Sequence, residues 1–126
     1  MMKQSEVFCT SISCMDGRIQ IPIIHWLKDN YEASFVDTIT EPGIDNLFTN
    51  TDKIKEIKSK TLISVNKHGS KLVIVSGHND CAGNPVSKSE HIDQIKHAVS
   101  VIESWKLPIK TIGAWVNQNW ELEILE

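Results

Sequence analysis

Cys14, Asp16 and Arg18 stand at alternate positions of Cys14-Met15-Asp16-Gly17-Arg18, and His78 and Cys81 stand three apart in Gly77-His78-Asn79-Asp80-Cys81. In an extended segment alternate residues project from one face, so the first group would present a thiol, a carboxylate and a guanidinium together. A His-x-x-Cys spacing in a turn lets both side chains reach one ion. Cys14, His78 and Cys81 together offer two thiolates and an imidazole. That donor set suits one zinc ion with a vacant fourth position, as catalytic rather than closed structural sites have. The fourth ligand is then water or Asp16. Zinc brings the pKa of bound water from about 15.7 toward 7. Two thiolates neutralise much of the metal charge and weaken that effect, which gives a neighbouring carboxylate a use. Asp16 is expected to orient or deprotonate the water, and the planar fork of Arg18 to hold Asp16 ionised.

The elements that must position these residues alternate between strand and helix. Residues 6–13 read as a first strand and 33–40 as a second, closed by Glu41-Pro42-Gly43. Pro22 suits the first turn of a helix running to about Tyr31. Ile54, Ile57, Leu62 and Val65 follow helical spacing after a cap at Asn50 or Thr51, with His68-Gly69 as the stop. Residues 71–76 form a continuous apolar run, the mark of a central parallel strand buried on both faces. Ile92, Ile95, Val99 and Ile102 predict a helix over 89–105, ended by Pro108. A fourth strand covers 110–116. After an Asn117-Gln118-Asn119 turn, Trp120, Leu122 and Ile124 alternate with glutamates as a half-buried antiparallel edge strand would. Strands joined by helical crossovers give a small three-layer α/β domain with a mostly parallel sheet. With strand order 2-1-3-4, both motifs lie at the carboxyl ends of adjacent strands, at the crevice where open α/β sheets bind ligands.

Length and composition narrow the classes of function. A chain of 126 residues fits one domain with one hydrophobic core. Its 40% hydrophobic and 23% charged residues are those of an ordinary globular protein. A formal charge of −3 with dispersed lysines gives no footprint for nucleic acid or for an anionic membrane. The N-terminal residues have no signal-peptide core, and no stretch approaches the ~20 apolar residues of a membrane span. A cytoplasmic location is therefore expected, where three cysteines serve metal binding better than disulfides. Cys9 lacks a motif partner and is expected to pack in the first strand. His25, His68, His91 and His97 suit surface or helix-terminal positions. His91 alone lies near enough to His78 and Cys81 to suggest a proton-carrying role, and Asp80 is expected to cap the following turn or, alternatively, to hydrogen-bond near the metal.

The two motifs resemble the signature of the β-class carbonic anhydrases, Cys-x-Asp-x-Arg followed after a later strand by His-x-x-Cys. The strand order and the ending GAWVNQNWELEIL are also similar to that family. The resemblance implies reversible hydration of carbon dioxide to bicarbonate by a zinc-held hydroxide. Cys14, His78 and Cys81 would be the ligands, Asp16 and Arg18 a dyad controlling the water, and the assembly a homodimer. The chain departs from the family in three places. Cys14 comes too early for the usual N-terminal helical arm. Thr40-Glu41-Pro42-Gly43 stands where the family often has Arg-x-Ala-Gly. Ala82 follows the second cysteine, with Gly83 one position late. Two other functions use the same residues: attack on carbonyl sulfide or carbon disulfide, and zinc binding without hydratase activity, with Asp16 closing the site.

Overall fold

Strands β1 (Phe8–Ser13), β2 (Phe35–Thr40), β3 (Leu72–His78), β4 (Lys110–Val116) and β5 (Leu122–Leu125) join in one sheet of order β2-β1-β3-β4-β5. This is a computed structural model, and it describes residues 6–125. All pairs are parallel except β4 with β5, which is antiparallel. The expected order and the antiparallel edge strand at the C-terminus are both present.

The continuous apolar run of β3 is buried along its whole length because helices cover both faces of the sheet. On one side α1 (Gly17–Tyr31) seats Ile19, Ile23 and Leu27 against Cys9, Leu72, Ile74, Ala114 and Val116. On the other, α2 (Thr51–His68) and α3 (Lys88–Ser104) pack Ile57, Ile95, Ala98 and Ile102 against Ile12, Val73, Val75 and Trp115. The layers are therefore helix, sheet and helix pair. Among the described residues no helix is long and apolar enough to cross a membrane.

Capping fixes where the helices start. The Asn50 side chain accepts from the Lys53 amide at 3.0 Å to open α2, and Gly69, at φ 71°, closes it. Ser87 accepts from the Glu90 amide at 3.1 Å and donates its hydroxyl to the Glu90 carboxylate at 3.2 Å, which caps the head of α3.

Two local expectations are corrected. The first is that Cys14, Asp16 and Arg18 share an extended segment with the helix starting at Pro22. Instead Asp16 is the N-cap of α1 and Arg18 lies in its first turn. An aspartate able to accept the Arg18 amide starts a helix at once. Pro22 then sits inside the helix, where its lack of an N–H forgoes one bond to the Arg18 carbonyl. The second concerns Trp120. It lies in the turn before β5, with φ 59°, rather than in the strand.

Candidate metal centre

Cys14 and His78 stand at the carboxyl ends of β1 and β3, and Cys81 follows in the turn after β3. The parallel pairing of β1 with β3 makes these ends neighbours. Ligand atoms of Cys14, His78 and Cys81 all lie within 4.8 Å of one another, and all three residues are buried. Among the described residues this is the one group of three or more such side chains placed to hold an ion.

The donor geometry fits zinc. The Cys14 and Cys81 sulfurs are 3.9 Å apart. Two sulfurs at about 2.3 Å from a tetrahedral ion are separated by about 3.8 Å. The His78 Nδ1 lies 2.7 Å from the Asn79 carbonyl. A carbonyl only accepts, so Nδ1 carries the proton and the lone pair of the neutral ring sits on Nε2. That Nε2 is buried without a hydrogen-bond partner. A buried imidazole nitrogen left unpaired is costly unless a cation takes its lone pair. Burial, and then the neighbouring Cys14, push the Cys81 thiol up to about 11. A cation between the sulfurs reverses that preference, because it stabilises the thiolate form.

Backbone contacts hold the cysteines. The Gly43 amide donates to the Cys14 sulfur at 3.4 Å. Gln20, one turn into α1, donates to the Cys14 carbonyl at 2.8 Å and to the Asp16 carbonyl at 3.1 Å. Gly43 has φ 60°, and a Cβ there would stand 2.7 Å from the backbone of Gly83. A Cβ on Gly83 would in turn meet Pro42 and Gly43. The two loops touch through paired glycines.

Asp16 accepts from the Arg18 amide at 2.9 Å, from Nε at 3.0 Å and from Nη2 at 2.7 Å. Hydrogen bonding to Arg18 is the main reason the Asp16 pKa falls to about 2; nearby His78 lowers it further. Asp16 and Asp80 hold the Arg18 guanidinium above its already high pKa. Arg18 also donates to the Asp80 carboxylate at 3.2 Å and to its carbonyl at 3.1 Å, and lies 4.5 Å above the Trp120 ring. Sequence reasoning gave Asp80 to its own turn and Trp120 to a strand. Asp80 does lie in the turn, and it also accepts from Arg18 beside the candidate ligands; Trp120 lies over the same guanidinium.

His91, suggested as a proton carrier, is buried at 2% exposure. Its Nδ1 lies 2.6 Å from the equally buried carboxylate of Asp45. Asp45 carries no sequence motif. His91 could have been found, because it lies four residues before Ile95 on the buried face of α3.

Residues 4–126 match the family described as "Putative carbonic anhydrase". Among solved structures the chain is similar to the carbonic anhydrase from Streptococcus mutans, with a TM-score of 0.53 and 17% identity over 93% of this chain and 81% of that one. At that identity the likeness is one of fold. No curated protein matches the chain in sequence.

Proposed function

The chain belongs to this carbonic anhydrase family and has a β-class carbonic-anhydrase-like fold; from that premise we propose that it binds one zinc ion through Cys14, His78 and Cys81 and reversibly hydrates carbon dioxide. The observation that carries the proposal is the unpaired, buried His78 Nε2 on a ring grouped within 4.8 Å of two sulfurs that are themselves at near-tetrahedral separation. Zinc in this position supplies Lewis acidity that makes hydroxide available near neutral pH.

The chain's own residues then do three things. Cys14, His78 and Cys81 would hold the ion with three protein donors, a number that would leave room for a small molecule beside it. Asp16 is taken up by Arg18 on both carboxylate oxygens and is not in the three-residue group, which supports an open fourth position over one closed by Asp16. With its pKa held near 2, Asp16 takes a proton poorly at neutral pH. Its role is to accept a hydrogen bond and orient the attacking oxygen. Arg18, fixed by Asp80 and Trp120, keeps that carboxylate charged and aimed.

A homodimer is part of the same proposal and rests on family membership. The test is stopped-flow carbon dioxide hydration on zinc-loaded protein. A rate above buffer at neutral or alkaline pH supports the proposal, and a rate equal to buffer defeats it. Sulfide release from carbonyl sulfide without hydratase activity would reassign the substrate while keeping the site.

A further inference from the structure

Asp45, His91 and Asn84 form a buried polar cluster on the face of the sheet opposite α1, and the proposed function gives it no role. The three residues are 3%, 2% and 2% exposed. One Asp45 oxygen meets His91 Nδ1 at 2.6 Å, and the other accepts from Asn84 Nδ2 at 3.2 Å. Asn84 also donates to Gln94 at 2.6 Å, which ties the loop after Cys81 to α3. Buried ionisable groups are costly to keep, so a hydrogen-bonded cluster of this kind calls for a reason beyond core packing.

Its position supplies the reason, because each arm ends on a segment that carries a candidate ligand or donates to one. Asp45 lies in the 3-10 turn Ile44–Leu47, directly after Gly43, whose amide donates to the Cys14 sulfur. The Asp45 carboxylate packs against β3 at Gly77, where a Cβ would collide with it, one residue before His78. Asn84 donates its amide to the Cys81 carbonyl at 3.3 Å and adjoins Gly83, which packs on Gly43. The His91 ring rests 5.2 Å from Trp115, which is paired with Gly77 in the sheet. One carboxylate thus connects the segments bearing His78 and Cys81 with the turn whose Gly43 amide meets the Cys14 sulfur.

We infer that Asp45, held by His91 and Asn84, is a positioning residue that sets the spacing of Cys14, His78 and Cys81 for metal binding. The inference rests on reading those three residues as the metal site. Asp45 touches no metal itself. It acts through Gly43, Gly77 and Asn84, and its loss should loosen the donor set without removing a donor.

The experiment measures zinc affinity by competition with a chelating indicator, and the cobalt-thiolate absorption of the cobalt-loaded protein. It uses the full chain as wild type, Asp45→Ala, Asp45→Asn, Asn84→Ala and Ile57→Val. Asp45→Ala and Asn84→Ala should weaken zinc binding by about 10–100-fold, the usual range for groups that orient ligands, and shift the cobalt-thiolate band. Asn at position 45 can still accept from Asn84 and can donate to Nδ1 of the other His91 tautomer. Asp45→Asn should therefore restore affinity to within a few-fold of wild type. Ile57→Val, in the same core but on α2, should lower the melting temperature without changing affinity or spectrum. Wild-type affinity in Asp45→Ala, or an equal loss in Ile57→Val, overturns the inference. If Asp45→Ala does not fold, Asn84→Ala decides by the same criterion. A wild type that holds no zinc defeats the reading of the metal site instead.

Discussion

Asp16 has two duties that a single substitution would mix. It caps α1, and it carries the charge beside the proposed metal. Asp16→Ala removes both and should cost about 0.5–2 kcal/mol of stability from the lost cap. Asp16→Asn keeps an acceptor for the Arg18 amide and removes the charge. Both variants should retain zinc while hydration falls about 10–100-fold, as measured by elemental analysis and stopped-flow rates. Loss of zinc from Asp16→Asn would mean that Asp16 is a ligand and the site closed. The pairing also has a pH signature in the metal-free protein. The folded-state pKa of Asp16 lies near 2, below the ordinary 3.8, so the stabilisation by Arg18 is complete above about pH 4 and disappears as pH falls toward 2. Carboxyl NMR titration should show Asp16 still ionised at pH 3. A midpoint near 4 would show that the Arg18 fork does not hold it.

At the scale of elements, the loops rather than the strands set the site. Gly43 is in the left-handed region with Gly83 against it, so Gly43→Ala combines backbone strain with a steric clash. The variant should lose on the order of 1–3 kcal/mol in thermal unfolding and bind zinc more weakly, since the amide moves off the Cys14 sulfur. Trp120→Ala should leave zinc content unchanged and reduce turnover, because it frees one side of the Arg18 clamp. This scale was also the hardest to read in the sequence. The grouping of Cys14, His78 and Cys81 was legible because metal chemistry restricts donor types and spacing. How Asp16 and Arg18 meet was not, because alternate spacing suits a strand and also suits an N-cap with the second residue of its helix. The contact across Gly43 and Gly83 joins positions remote in sequence, and no local pattern announces it. Trp120 fitted a period-two alternation that includes the turn residue by coincidence.

For the whole molecule, sheet order and layering followed from a few strong signals. The unbroken apolar run of β3 requires cover on both faces, and helical crossovers require parallel strands, which leaves few topologies for a short chain. The buried Asp45 and His91 escaped that logic, since hydrophobic patterning says nothing about a polar pair inside the core. The proposed homodimer predicts twice the chain mass in light scattering, and a monomer that is fully active would remove assembly from the account. Zinc K-edge X-ray absorption on the native protein tests the metal centre most directly. The proposed metal centre predicts one zinc per chain with two sulfur scatterers at about 2.3 Å and two nitrogen or oxygen scatterers at about 2.0–2.1 Å. A shell without sulfur, a shell of four sulfurs, or protein without zinc would contradict it.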